Sequence, residues 1–150
     1  MKPLFYLIAG SILFSAMASN GETDVAQSKR FGADEYGMKK YVMALLKKGP
    51  NRDALSPQQR TELQAAHMAN IGRMAQKKQL VLAGPFLDNG NLRGIYVFNT
   101  PSIVTAKQWT QTDPAIKAGS LIMELKPWYG SAAIMAINDL HHQITAKEDK

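Results

Sequence analysis

The sequence of 150 residues contains no cysteine. This absence excludes disulfide bonds, thiol nucleophiles and metal sites built on thiolates. Glycine-rich phosphate loops, nucleophile elbows and zinc motifs are missing as well. His141 and His142 form an adjacent pair near a polar tail, but no carboxylates stand at a spacing that would complete a metal site, so we assign them to the surface. The sequence therefore predicts neither a metal nor another cofactor.

Long hydrophobic runs are also missing. The apolar run from Leu4 to Phe14 covers about eleven residues, too few to cross a bilayer as a helix. Lys2 precedes this run, and Ala16-Met17-Ala18 follows it as a small-x-small cleavage signal. This pattern predicts a signal peptide over residues 1–18 and a mature protein without stable membrane anchoring; an uncleaved membrane tether is the alternative. Export without disulfides suits a bacterial periplasm.

The positive charge is not concentrated in any one segment. The net charge is +6, and much of the excess lies in three separate pairs, Lys39-Lys40, Lys47-Lys48 and Lys77-Lys78. A nucleic-acid site would be expected to show a clustered basic stripe with interleaved aromatic side chains. We therefore expect a solvated basic surface and no nucleic-acid partner.

The remaining pattern predicts one domain of alternating strands and helices. Residues 19–36 are polar and are expected to form a disordered leader, residues 37–132 the domain, and residues 133–150 a C-terminal extension. The predicted elements are strands at Tyr41–Leu46, Leu80–Ala83, Leu92–Phe98 and Leu121–Leu125, and helices from Ser56 to Lys77 or Lys78 and from Ser102 to Thr110, with a short turn after Asp113-Pro114. The turn Asp88-Asn89-Gly90-Asn91 joins two strands as a hairpin, and Lys126-Pro127-Trp128 is expected to end the fourth strand.

This order, β-α-β-β-α-β, is the ferredoxin-like α+β arrangement. Its two helices cover one face of the sheet, and nothing in this chain is expected to cover the other. A second copy would cover it most simply, so the sequence predicts a homodimer whose two sheets form an α+β barrel.

His67 is the most informative residue of the predicted first helix. It lies on an apolar stripe at helical spacing, formed by Leu63, Ala66, His67, Ile71 and Met74. An imidazole among these side chains loses contact with water, so it needs a hydrogen-bond partner or a chemical role. The alternative to a functional role is a core-edge histidine bonded to a backbone carbonyl.

In this order, the motifs resemble the YCII-related family of small dimeric proteins. The resemblance rests on His67, on Leu80-Val-Leu-Ala-Gly84-Pro85 and the Asp88 turn, on the Gly94 strand, and on Asp113-Pro114 and the Pro127-Trp128 strand end. It covers roughly residues 38–132. It implies a dimeric ferredoxin-like barrel and a His–Asp pair as the active site. Some members of the family are linked to dehydrochlorination of hydroxylated aromatics.

His67 and Asp113 are the residues expected to carry any catalysis, with His67 as general acid or base and Asp113 orienting it. An N-cap role would by itself explain Asp113, and Asp88 is a second candidate carboxylate, although turn geometry alone favours aspartate there. The other expected substrate contacts are Arg52, Gly84, Pro85 and Trp128. Each has a plain alternative: a solvated loop arginine, a strand end shaped by Gly84-Pro85, and core or interface packing of Trp128.

The function predicted from the sequence is that of an exported protein that binds a small organic molecule, with aromatic compounds among the expected ligands. If it is an enzyme, it is a cofactor-free lyase or isomerase in which His67 and Asp113 transfer a proton. The alternative is a non-catalytic binding or assembly module in which His67 only anchors the first helix.

Overall fold

The computed structural model describes residues 24–146. The predicted signal peptide lies outside the described residues. The helices are α1 (Val25–Phe31), α2 (Pro57–Gln76), α3 (Ile103–Thr110), α4 (Pro114–Lys117) and α5 (Ile137–Ile144). The strands are β1 (Met38–Lys48), β2 (Leu80–Pro85), β3 (Leu92–Phe98) and β4 (Leu121–Ser131), and 3₁₀ turns cover Arg52–Ala54 and Ala132–Ala136.

The four strands form one antiparallel sheet in the order β2-β3-β1-β4. This order confirms the predicted ferredoxin-like α+β fold. Three helices, α2, α3 and α4, pack on one face of the sheet, where alternate residues of β1 and β3 point inward. We call this face the helix face and the other the open face. The main core lies on the helix face around Val42, Ala44, Phe98 and Ala106, each with no exposed surface.

Local sequence signals fix the start of α2. The side chain of Ser56 accepts a hydrogen bond from the backbone N–H of Gln59, and the side chain of Gln59 accepts one from the backbone N–H of Ser56. Pro57 occupies the first helical position, where its missing N–H costs nothing. These bonds confirm the predicted capping box, and the apolar stripe with His67 faces the sheet as predicted.

The predicted hairpin of β2 and β3 is also confirmed. Gly94 pairs with Pro85 across the hairpin, and a β-carbon at Gly94 would meet the carbonyl oxygen of Gly84 at 2.5 Å. Only glycine allows the two backbones to approach this closely. The hairpin therefore places the Gly84-Pro85 end of β2 next to Gly94 and Ile95 of the central strand β3.

The fourth strand is longer than the sequence predicts. It was expected to end at Leu125, but it continues through Pro127 to Ser131. The prediction took Pro127 as a strand terminator, whereas β4 is an edge strand with only β1 as a neighbour. A proline is accepted on an edge strand because its missing N–H side can face away from the neighbouring strand.

The predicted disordered leader is wrong for its described part, because α1 lies inside it. Asp24 caps α1 through the backbone N–H of Gln27, and Gly32 ends it in the left-handed conformation at φ 69°. An ion pair of 2.8 Å joins Arg30 to Asp139 of α5. Polar composition suggested disorder, but end caps and one long-range ion pair are enough to place a short helix.

The prediction that nothing in the chain covers the open face is wrong at one end. There Ile134 and Met135 of the C-terminal extension pack against Tyr41, Val81 and Val97. The side-chain amide of Asn138 also donates a hydrogen bond of 2.9 Å to the carbonyl oxygen of Leu80. The extension thus forms a second, smaller core, and the rest of the open face stays uncovered by residues 24–146.

No helix within residues 24–146 has both the length and the apolar character needed to cross a membrane.

Candidate functional site

The imidazole of His67 and the carboxylate of Asp113 are joined in the interior of the helix face. Nδ1 of His67 lies 2.7 Å from Oδ2 of Asp113. Both residues are buried, with 6 % of His67 and none of Asp113 exposed. An ionised carboxylate can only accept, so in the neutral imidazole Nδ1 carries the hydrogen and the other nitrogen, Nε2, carries the lone pair. The carboxylate therefore fixes the tautomer in which Nε2 is the basic atom.

Asp113 is held in place by the turn that it starts. It is the N-cap of α4, and its Oδ1 accepts a hydrogen bond of 2.8 Å from the backbone N–H of Ala115. The predicted N-cap role of Asp113 is thus confirmed, and it is compatible with the contact between Asp113 and His67. One carboxylate oxygen caps the helix while the other faces His67, so each of its oxygens has a partner in the low-dielectric interior.

A third residue, Tyr96 of β3, completes the buried cluster. Its hydroxyl lies 3.2 Å from Nε2 of His67, and the two rings stack with centroids 6.1 Å apart. Burial, and then the negative charge of Asp113, raise the pKa of Tyr96 above its ordinary value. The phenol therefore stays protonated, and its hydroxyl donates a hydrogen bond to Nε2. Sequence reasoning missed Tyr96; the signal was a phenol on a buried strand face, whose hydroxyl needs a partner.

Asn70 is a second buried residue that sequence reasoning missed. It lies three residues after His67 on α2 and has no exposed surface. Its Oδ1 accepts a hydrogen bond of 3.0 Å from Thr112 and a second one from Arg73. Because Thr112 directly precedes Asp113, this contact ties the carboxylate-bearing turn to the helix that carries the imidazole.

His67 and Tyr96 border a cavity of about 330 Å³ on the helix face. This volume falls near the lower end of the range of small-molecule sites, which is about 300–1,000 Å³. Its apolar wall includes Met68, Ile71 and Phe86. Asp113 does not line the cavity, so a ligand can reach the imidazole while the carboxylate stays behind it.

Three of the predicted substrate contacts line the same cavity, namely Arg52, Gly84 and Pro85. Arg52 reaches it from the 3₁₀ turn after β1, and Gly84-Pro85 from the end of β2. A β-carbon at Gly84 would meet no atom within 4 Å. Their predicted role in binding stays a prediction, but the structure brings them to the imidazole.

Two predicted contacts lie elsewhere. Asp88 is exposed in the β2–β3 turn, where its Oδ1 accepts a hydrogen bond of 3.2 Å from the backbone N–H of Gly90, so turn geometry accounts for it. Trp128 stacks near Tyr41 on the open face, at 5.7 Å between centroids. Its predicted place at a strand end was wrong because β4 continues past it, and strand alternation points it away from the cavity.

Among residues 24–146, no three histidine, aspartate or glutamate side chains come together as a metal ion would require. His141 and His142 are exposed on α5. An imidazole that contacts a buried carboxylate and borders a cavity can accept or donate a proton.

A protein-family model described as YCII-related domain matches residues 40–129. Among curated proteins, none matches this sequence. One solved structure with a similar fold is 5-chloro-2-hydroxyhydroquinone dehydrochlorinase from Burkholderia phenoliruptrix, in complex with 2,5-dihydroxybenzoquinone. It shares 18 % sequence identity at a TM-score of 0.44, and the alignment covers 60 % of this chain and 93 % of the other.

Proposed function

Because the chain belongs to the YCII-related family and carries a carboxylate-oriented imidazole at a cavity, we propose that it binds a small organic molecule there and transfers a proton on it. The reaction class is that of a cofactor-free lyase or isomerase. The observation that carries the proposal is the 2.7 Å contact of Nδ1 of His67 with Asp113, which leaves Nε2 as the basic atom of an imidazole that borders the cavity. Positioned bases of this kind contribute about 10²–10⁴-fold to reaction rates.

In the proposed reaction, Nε2 of His67 takes a proton from a ligand carbon next to a carbonyl group. The electron pair of the broken C–H bond moves into the carbonyl and forms an enolate. Asp113 stabilises the imidazolium that results, through the hydrogen bond it already makes. In a ligand with a double bond between its β- and γ-carbons, return of the proton at the γ-carbon shifts that double bond and completes an isomerisation. In a ligand with a leaving group on the β-carbon, departure of that group with its electron pair completes an elimination.

Tyr96 supplies the matching hydrogen-bond donor. The raised pKa of its phenol keeps the hydroxyl protonated, and the hydroxyl lies within 3.2 Å of Nε2. When a ligand takes the place beside Nε2, the hydroxyl turns to the enolate oxygen and stabilises its charge. Such a donor is most effective in a site that excludes water, as the burial of Tyr96 provides.

The test is solvent-deuterium exchange. A panel of small carbonyl compounds and hydroxylated aromatics is incubated with the protein in D₂O, and loss of ligand C–H signals is followed by proton NMR. We expect exchange on at least one bound compound, reduced about 100-fold or more in His67→Gln. His142→Gln is the matched control because His142 is exposed on α5, and it should exchange as the wild type does. Equal exchange in wild type and His67→Gln would refute the catalytic role.

A non-catalytic binding module is the second candidate. It is favoured by one specific observation: both ring nitrogens of His67 already have partners, Asp113 and Tyr96. In this reading the ring only joins α2 to β3 and α4. Binding of panel compounds without any deuterium exchange would support it.

We also propose that the chain is a homodimer, with the uncovered part of the open face as its interface. Leu45 and Ile95 are half-buried there, and Ile122 is 47 % exposed. Such side chains on a sheet face gain stability when a second sheet covers them. Sedimentation at micromolar concentration should give about twice the monomer mass, and a clean monomer would contradict the proposal.

The proposed location is the periplasm, reached through a cleaved signal peptide. Lys2, the apolar run of residues 4–14 and Ala16-Met17-Ala18 support it. Mass spectrometry of the protein from its native cell should find a chain that begins at or near Ser19. An intact Met1 in the soluble cytoplasm would contradict it.

A further inference from the structure

The cavity beside His67 is lined by two arginines and by no acid of the described chain. Arg52 and Arg93 both border it, and both are half-buried. Within residues 24–146 neither arginine forms an ion pair. Asp53, next to Arg52 in sequence, is exposed and pairs with Lys48 at 2.7 Å. Two half-buried arginines thus border a concave space. Their positive charge makes the electrostatic potential in this space favourable for an anion.

Few of the arginine N–H groups are engaged inside the protein. Arg93 donates one hydrogen bond, through Nη1, to the carbonyl oxygen of Gly90 at 3.2 Å. The side chain of Arg52 makes no hydrogen bond with any part of the described chain. A guanidinium has five N–H donors arranged as a fork that matches a carboxylate in two parallel hydrogen bonds. Donors therefore remain for a ligand on both side chains.

Arg52 also stands where this cavity meets a second one. The neighbouring cavity measures about 420 Å³ and shares Arg52, Gln64 and Leu121 with the first. It adds a further cation, Arg60, which donates one hydrogen bond of 2.9 Å to the carbonyl oxygen of Leu55. Arg52 thus contributes positive charge to both cavities, while Met68, Ile71 and Phe86 provide apolar lining of the His67 cavity.

We propose that the ligand of this cavity is a small carboxylate on an apolar body, held through its carboxylate by Arg52 and Arg93. The apolar body lies against Met68, Ile71 and Phe86, next to the imidazole. This inference rests on the proposed function, because it takes the His67 cavity to be the ligand site. It adds the chemical class of the ligand and assigns Arg93, which sequence reasoning did not single out.

Matched pairs of aromatic probes test the ligand class. Binding of benzoate, of its neutral counterpart benzamide, and of 4-nitrophenol above and below its own pKa is measured on the full chain by ligand-observed NMR. Hydrogen bonds to charged groups contribute about 1.5–3 kcal/mol, so we expect benzoate to bind at least about 10-fold more tightly than benzamide. Added salt should weaken benzoate binding and leave benzamide binding unchanged.

Two arginine variants and one charge-matched control locate the binding. Arg52→Gln and Arg93→Gln should each weaken benzoate binding about 10-fold or more and leave benzamide binding unchanged. Lys107→Gln removes the same charge from an exposed position of α3 that lines neither cavity, and should bind benzoate as the wild type does.

The possible failures are distinguishable. Equal binding of benzoate and benzamide, or no effect of either arginine variant, overturns the anion proposal while the proposed proton transfer stands. Binding of nitrophenolate without benzoate overturns the carboxylate assignment in favour of a phenolate. Absence of binding by every probe overturns the anion proposal. The proposed function is overturned separately, by absence of deuterium exchange across the carbonyl panel or by equal exchange in wild type and His67→Gln.

Discussion

The two faces of the sheet carry their charged groups in different settings. On the helix face, Asp113 is fully buried, and both of its oxygens accept hydrogen bonds. On the open face, Glu124 pairs with Lys47 and Lys126 while 39 % of its side chain stays exposed. Water can replace the partners of Glu124 but not those of Asp113, so the two carboxylates should respond very differently to substitution.

Removing the buried carboxylate should have the largest effect on stability. Asp113→Ala leaves the imidazole of His67 and the N–H of Ala115 without their acceptor, and we expect a loss of about 3–5 kcal/mol in the free energy of unfolding. Glu124→Ala on the open face should cause at most a slight loss, because 39 % of its side chain is exposed to water. Urea denaturation measures both. Should Asp113→Ala fail to fold, Asp113→Asn is the substitute, because it keeps the cap and should lose less free energy of unfolding. Equal small losses at Asp113 and Glu124 would contradict the difference between the two faces.

The C-terminal extension should contribute the next largest effect. Ile134→Ala combined with Met135→Ala uncovers Tyr41, Val81 and Val97, and should cost about 2–3 kcal/mol because both side chains are half-buried. Leu140→Ala is the control, since Leu140 is 53 % exposed on α5 and should be nearly neutral. An unchanged urea midpoint in the double variant would mean that the extension does not stabilise the open face.

Tyr96→Phe should lower the free energy of unfolding by about 1 kcal/mol at neutral pH, through loss of one hydrogen bond to His67. The pKa of Tyr96 is raised in the folded state, so its contribution is fully present below the ordinary tyrosine pKa of 10.0 and is lost as the pH rises above it. The advantage of the wild type over Tyr96→Phe should therefore fall by about 1.4 kcal/mol per pH unit above that value and change sign within about one unit. A difference that stays constant from neutral to strongly alkaline pH would contradict the burial of this phenol.

The smallest effect is expected from Glu124→Gln. Lys126, and then Lys47, lower the pKa of Glu124 from 4.5 to about 2. Its contribution to stability is thus present above the ordinary pKa and is lost as the pH falls toward about 2. The difference between wild type and variant should be slight, should fade in acid, and should vanish at high salt because the pair is exposed. A difference that persists in high salt would indicate that this ion pair is shielded from solvent.

Local rules predicted those parts of the fold in which neighbouring residues decide the structure. The capping box at Ser56, the β2–β3 hairpin and the cap at Asp113 depend on residues within four positions of one another, and all three are confirmed. The extent of β4 could not be predicted this way, because the acceptance of Pro127 depends on which strand lies at the edge of the sheet.

The site was predictable only in part, for the same reason. His67 stood out as a polar residue on an apolar stripe, and family order suggested Asp113, 46 residues away. Tyr96 belonged to an ordinary apolar strand pattern, and its contact with His67 follows from strand order and register, which are not local properties. The cavity contact predicted for Trp128 was wrong, because a shift of one residue along a strand moves a side chain to the opposite face of the sheet.

The most direct test of the central claim is a ¹H–¹⁵N NMR spectrum of the His67 imidazole at neutral pH. We expect Nδ1 to carry the hydrogen and Nε2 to be unprotonated, because the carboxylate of Asp113 can only accept. In Asp113→Asn, whose amide can donate, the hydrogen should move to Nε2 and deuterium exchange on a bound ligand should fall about 100-fold. A wild-type spectrum with the hydrogen on Nε2 would contradict the claim that Asp113 makes His67 the base of this cavity.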